Sequence, residues 1–326
     1  MHIFYRNKYE SVIALIDYYG IILIIMKDPA LPKAHWSVVL ANESSRPFES
    51  LVAAHDALSL SPDSFMQYAS AWALLYASQK THADAQEAFD KAITTLEHIE
   101  QEPVTKVYEW TADDIPLRAS FARTLSRQIR HPKAILSIDE RTKIFQSFEP
   151  LLERGISDCE NGSTDARGML GEIAIAALCW RPTPAVFSIF NVVPAGPMKD
   201  SRIKHKTQFA TDLYAYHPTL KSTKKGRVNV QVKATLTDRG AKRYDKEAIV
   251  PIGLNEITHP IESVNDDCGK DKVLWLARTL QSDIAGEPLD LHEEEILLYG
   301  IADLYDRVSA LAEDKLERLI TKRRAT

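Results

Sequence analysis

Four side chains in three short segments of the 326-residue sequence are of types that can do chemistry together. Glu172 is the only charged residue in the apolar run of residues 168–180, Asp212 lies in an alternating segment, and Gln231 and Lys233 flank Val232 in a valine-rich one. Two carboxylates, an amide and an amine can hold a divalent cation beside an ammonium. Phosphodiester hydrolysis uses that combination, because negative charge gathers on phosphate as the reaction proceeds.

Each residue also has a plainer reading. On a helix, Glu172 has Ile175, Ala176 and Cys179 as its neighbours at i+3, i+4 and i+7, so its carboxylate is partly desolvated unless a partner such as a metal or a lysine meets it. The alternative places it near the first helical turn, facing solvent and the positive end of the helix dipole. Asp212 shares a period-two face with Ala210, Tyr214 and Tyr216; aspartate is disfavoured within strands, and a strand end is the plain explanation. Val228, Val230, Val232 and Ala234 define the buried face of the third segment, leaving Asn229, Gln231 and Lys233 on the other. Alternation sets the Gln231 and Lys233 Cα atoms about 6 to 7 Å apart. A solvated edge strand would show the same pattern.

The elements that must position these groups follow from periodicity. Residues 1–155 read as mainly helical and residues 156–326 as a mixed domain of helices and strands. In the first part, residues 61–63 (Ser-Pro-Asp) form a helix start. Phe65, Tyr68, Trp72, Leu75 and Tyr76 then fall on one helix, and Ala85, Ala88, Phe89, Ala92, Ile93 and Leu96 on a second, making a helical hairpin. It resembles one tetratricopeptide unit without a second copy, and a plain helical domain is the favoured reading. Further helices are expected at 115–129 and 139–154, and the turn-forming stretch 155–165 is expected to be the domain boundary. Beyond it the pattern gives a helix at 167–180, strands at 185–193, 208–216 and 227–236, further strands at 249–252 and 272–277, and a closing amphipathic helix at 301–323. The seven-residue apolar run 20–26 is too short to span a membrane and reads as a strand or helix turn.

Composition is that of a globular protein, 45% hydrophobic and 26% charged, with a net charge of −5. Bulk charge therefore argues against a protein that coats nucleic acid, yet between Lys199 and Lys246 thirteen Lys or Arg stand against four Asp or Glu. This basic block surrounds the candidate site and suits a phosphate-bearing partner. Lys221, Lys224, Lys225, Arg227, Arg239, Lys242 and Arg243 are the expected backbone contacts; a solvated lysine-rich loop is the alternative. Cys159, Cys179 and Cys268 are odd in number and never form a CxxC pair, which points away from a disulfide framework and fits a reducing cytoplasm. Residues 27–33 offer no convincing cleavage site for a signal peptide. His205, His217, His259 and His292 lack zinc-like spacing, and no HExxH, GxSxG, P-loop or GxGxxG sequence occurs.

In order and spacing, helix glutamate, strand, aspartate and strand x-x-Lys, these segments resemble the catalytic core of the PD-(D/E)xK, or restriction-endonuclease-like, nuclease superfamily in a QxK variant. The resemblance covers about residues 166–236 and places the family's aspartate on Asp212, its (D/E)xK on Gln231-Val232-Lys233 and its helix glutamate on Glu172. It implies an α+β or α/β fold in which a helical N-terminal domain precedes a mixed central sheet flanked by helices. It further implies a Mg²⁺- or Mn²⁺-dependent endonuclease, with the ion on Asp212, the Gln231 carbonyl, the Val232 main-chain carbonyl and Glu172, and Lys233 beside the attacking water. The expected substrate is nucleic acid, DNA ahead of RNA, in a restriction, anti-phage defence or DNA-repair setting. A protein partner on the helical half and a homodimer are compatible with it, and a membrane role is not expected. Gln231 departs from the family's usual acid and brings no charge, so a non-catalytic nuclease-like scaffold stands as the alternative, with an unrelated α+β enzyme a third. Glu313-Asp314-Lys315 matches the tripeptide but lies in the closing helix without preceding strands.

Overall fold

The protein is described by a computed structural model covering residues 12–16, 22–26, 48–59, 64–79, 85–101, 115–162, 164–183, 190–196, 211–220, 226–233, 249–253 and 272–324. The chain divides into two compact units, residues 1–112 with 196–210, and residues 113–195 with 211–326. The boundary expected at 155/156 therefore falls inside the second unit. Its physical reason is Gly155, which acts in packing rather than in a turn. A Cβ at that position would meet Leu170 Cδ1 at 2.8 Å, so glycine lets two helices approach closely.

In the first unit, β1 (Val12–Ile16) pairs antiparallel with β2 (Ile22–Met26), which makes residues 22–26 of the apolar run a strand. Three helices follow, α1 (Phe48–Leu58), α2 (Ser64–Ser78) and α3 (Ala85–Gln101). The expected helix start at residues 61–63 lies outside the described residues. On α3 the buried residues Ala85, Ala88, Phe89, Ala92, Ile93, Leu96 and Ile99 recur at helical spacing, so one stripe faces the neighbouring helices. His55 on α1 bridges to Thr95 on α3 at 2.9 Å. Gly196 has φ +67° and lies against Trp72, where any Cβ would overlap the indole.

The second unit carries α4 (Ile115–Gln128), α5 (Ile138–Gln146), α6 (Glu149–Glu160) and α7 (Thr164–Trp180). After these come β3 (Asn191–Pro194), β4 (Leu213–Tyr216), β5 (Val228–Lys233), β6 (Ile249–Gly253), α8 (Lys272–Ile284) and α9 (Leu291–Arg324). The sheet order is β3-β4-β5-β6; the first three strands are antiparallel and β6 runs parallel to β5. The described residues are mostly helical with one mixed sheet in this unit, an α+β arrangement. α7 is the axis of the core: Met169, Leu170, every residue from Ile173 to Leu178, and Trp180 belong to its buried cluster. A helix apolar on all sides must be enclosed on all sides. Trp180 donates its indole N–H to the Val192 carbonyl at 2.9 Å and so ties α7 to β3.

Three expected elements differ. The helix expected at 139–154 is two helices, because Pro150 sits in the first turn of α6, where its missing N–H is harmless, whereas a continuing helix would lose a bond there. Upstream, α5 starts on a Ser137/Glu140 capping box. The strand expected at 272–277 is the start of α8. Its buried residues Val273, Leu276, Ala277 and Leu280 have helical spacing, which the six-residue window was too short to reveal. The closing helix begins at Leu291, ten residues before the expected start. Arg181, just past α7, donates to Asp283 on α8 at 2.6 Å and to Glu294 on α9 at 3.1 Å, fastening three helix ends together.

Candidate active site

Asp212 immediately precedes β4 and is held on both sides by the sheet. Its N–H donates to the Val230 carbonyl at 3.0 Å, and its carbonyl accepts from Ala195 N–H at 2.9 Å. That double pairing fixes the side chain against β5. There Asp212 Oδ2 accepts from the Gln231 amide Nε2 at 2.5 Å and from the Val232 N–H at 2.7 Å. Burial pushes the Asp212 carboxyl up to about 6, against the opposing pull of Lys233, the Val232 amide, Arg118 and Gln231.

Gln231 is 3% exposed. Donating its amide N–H to Asp212 leaves its carbonyl Oε1 buried and without a hydrogen-bond partner among the described residues. Such an acceptor costs about 1–3 kcal/mol if nothing fills it. The other buried side-chain atoms without partners, on His55, Arg141 and His292, are nitrogens. Gln231 thus supplies the one orphaned oxygen of that set, hard and uncharged, next to a carboxylate. A magnesium-type ion takes such ligands, so the residues present fit the ion the sequence implies.

Glu172 lies in the middle of α7, not in its first turn, and is 7% exposed. Both its oxygens are taken by one guanidinium: Arg118 Nη1 donates to Oε2 at 3.0 Å and Nη2 to Oε1 at 3.2 Å. Where a metal or a lysine was expected beside Glu172, an arginine from α4 pairs with it. Arg118 and Lys233 both act electrostatically on Asp212, which joins the three sequence segments into one charged cluster within a single unit. Val232 meets Asp212 through its N–H. Among the described residues no group of three or more His, Cys, Asp or Glu is placed to hold a metal, so a cation here would depend on Asp212 together with the amide oxygen.

Sequence reasoning missed Arg118. Its signal was present: Arg118 is flanked by Leu117, Ala119, Ser120, Phe121 and Ala122, all buried. A lone charge in such a run calls for a buried partner just as Glu172 does.

The basic residues divide differently. Arg227 stacks its guanidinium 3.4 Å from the centre of the Tyr214 ring, and its carbonyl accepts from Lys315 Nζ at 2.5 Å. Lys233 lies six residue steps further on, about 20 Å along β5, so Arg227 marks the opposite end of the strand from the site. Lys221, Lys224, Lys225, Arg239, Lys242 and Arg243 lie outside the described residues, as do His205 and His259. Lys315, the lysine of the tripeptide that lacks preceding strands, sits in α9 and anchors the start of β5. His217 is buried between the Thr219 N–H at 3.3 Å and Ser309 at 3.2 Å, a structural arrangement. No described helix is long and apolar enough to cross a membrane.

Compared with protein-family models, curated proteins and solved structures, the chain matches none.

Proposed function

We propose that the second unit is a metal-dependent nuclease of the PD-(D/E)xK kind, hydrolysing phosphodiester bonds in DNA in preference to RNA. The observation that carries this reading is the Gln231 carbonyl oxygen, buried and without a partner among the described residues, beside the Asp212 carboxylate and with Lys233 in electrostatic reach. A structural glutamine in a closed core would have both ends of its amide satisfied.

Asp212 and the Gln231 carbonyl would hold Mg²⁺ or Mn²⁺, with the Val232 carbonyl and Glu172 as further oxygen donors. When bound, the ion draws off charge from the scissile phosphate and steadies the leaving oxygen. The chain's own part begins with Asp212, which is ionised above about pH 6 and is held in place by two donors on β5. Lys233 orients the attacking water and offsets the negative charge that accumulates on phosphorus. Gln231 keeps its donor end on Asp212, which fixes the amide and would leave its oxygen available to the ion. The surplus of positive charge between Lys199 and Lys246 draws in the phosphate backbone without reading sequence. By analogy of fold alone, restriction, anti-phage defence and DNA repair are the settings such a nuclease serves.

A second reading has its own observation. Both Glu172 oxygens are committed to Arg118, and Gln231 brings no charge, as in a nuclease fold that has lost its catalysis and serves as a binding platform. Purified protein incubated with duplex DNA, single-stranded DNA and RNA, with Mg²⁺ or Mn²⁺, separates the two. The nuclease reading expects metal-dependent cutting that disappears in Asp212→Ala and Lys233→Ala. Equal cutting by Lys233→Ala, or none of any substrate by the wild type, supports the platform.

A further inference from the structure

The chain leaves β3 beside the candidate site. Ala195 follows the last residue of β3, and its N–H donates to the Asp212 carbonyl at 2.9 Å. β3 is the outermost strand of the described sheet, so β4 steadies this end from one side. The next residue, Gly196, turns the chain with φ +67°, in the left-handed region that glycine adopts without a steric penalty. With Gly196 the chain passes into the first unit, where the indole of Trp72 on α2 lies directly against it. A Cβ on Gly196 would stand 1.5 Å from Trp72 Nε1 and 1.9 Å from Cδ1. Trp72 is itself packed, 6% exposed and with its ring centre 6.5 Å from that of the buried Tyr68. One covalent step and one hydrogen bond therefore connect a buried indole of the helical unit to the main chain of Asp212.

Resting on the nuclease reading, we propose that Trp72 and Gly196 are positioning residues for the cation site, through which the helical unit sets the place of Asp212. Neither touches the reacting atoms; both act through Ala195. The main chain of Asp212 is held between Ala195 and Val230, and its Oδ2 between the Gln231 amide and the Val232 N–H. A displaced Gly196 carries Ala195 with it, and the bond that Ala195 makes to Asp212 stretches or breaks. Loosening that first support misaims the carboxylate held by the last two. An ion shared with Gln231 Oε1 needs its ligand oxygens about 2 Å away, and an error of about an ångström in a reacting group costs about 10² in rate. The indole leaves Gly196 no room to drift toward it, which is what a fixed support requires.

The test is Mn²⁺ binding to the full chain, read from the paramagnetic resonance of free Mn²⁺, beside single-turnover cutting of duplex DNA. Gly196→Ala, whose Cβ must displace the indole or the backbone, is expected to weaken Mn²⁺ binding at least about fivefold, within the range of ordinary coupling between sites. Cutting should slow by about 10², with the DNA concentration for half-maximal rate unchanged. In a Trp72→Ala background, where the Cβ has room, Gly196→Ala is expected to change Mn²⁺ affinity little further. A glycine needed only for the fold of the helical unit would lower the melting temperature and leave the Mn²⁺ affinity of folded molecules as it was. Linkage supplies a measurement that stands even if Gly196→Ala does not fold. In wild type labelled with 5-fluorotryptophan, the Trp72 fluorine signal, assigned by its absence from Trp72→Phe, is expected to shift on titration with Mg²⁺ and to stay in place in Asp212→Asn. Equal Mn²⁺ binding by folded wild type and Gly196→Ala, or a Trp72 signal that Mg²⁺ leaves unmoved, overturns the positioning role; the cation site still stands if Asp212→Asn has lost its Mn²⁺. Equal Mn²⁺ binding by wild type and Asp212→Asn removes the cation site, and the positioning role with it.

Discussion

Two arginines in the second unit each hold carboxylates, and they do so in opposite ways. Arg181 meets Asp283 and Glu294 with a bonded guanidinium and no orphaned atom among its partners, pinning the ends of α7, α8 and α9. Arg118 meets Glu172 inside a cluster that also contains a carboxyl pushed up to about 6 and a glutamine oxygen with no partner among the described residues. A saturated network holds helices together. An unsaturated one, costly to bury, is where the proposed cation would bind.

That contrast can be broken most forcefully at Lys233. Lys233→Ala is expected to lower the cutting rate by about 10² to 10³, the usual loss when one preorganised charge stabiliser is removed. Its melting temperature should hardly move, and single-turnover kinetics beside a thermal melt would check both. The Arg181 cluster should answer in reverse. Arg181→Met is expected to cost about 1.5–3 kcal/mol of stability, toward the low end because Glu294 is partly solvated, with the residual cutting rate per folded molecule unchanged. Denaturant unfolding measures that loss, and a rate effect would erase the distinction between the clusters.

Asp212 sharpens the comparison through pH. Its folded carboxyl lies near 6 against an ordinary 3.8, so between those values the folded protein binds a proton that the unfolded chain has released. Through this group alone, stability falls as pH rises across that window and is level above it. Cation affinity runs the other way, because the ion needs the carboxylate, and should weaken about tenfold for each pH unit below 6. Calorimetric titration with Mn²⁺ at pH 5, 6 and 7 would follow it, and Asp212→Asn should show neither dependence. The smallest effect is expected at Arg227, which is committed to Tyr214 about 20 Å from Lys233 along the strand. Loss of a phosphate contact lowers the salt slope of DNA binding by about 1, and Arg227→Ala should change it by much less.

Much of this was legible in sequence because it depends on local period. The α2–α3 hairpin, α7, the alternation of β5 and the pairing of Asp212 with Gln231 and Lys233 all follow from residues close together or from motif order. Other features depend on distant neighbours. Gly155 read as a turn former because nothing local reveals Leu170 lying against it. The segment starting at Lys272 read as a strand because six residues do not separate the two periods. Arg118 stands 54 positions before Glu172, and only the buried run around it hints at a partner. Ion pairs across that distance are decided by packing.

The central claim is that Asp212 and the Gln231 carbonyl form a cation site, and anomalous diffraction from crystals soaked in Mn²⁺ tests it most directly. The account predicts a peak about 2 Å from Gln231 Oε1 and an Asp212 carboxylate oxygen. A Gln231 oxygen bonded to a side chain or water, with no peak beside it at millimolar Mn²⁺, would contradict it.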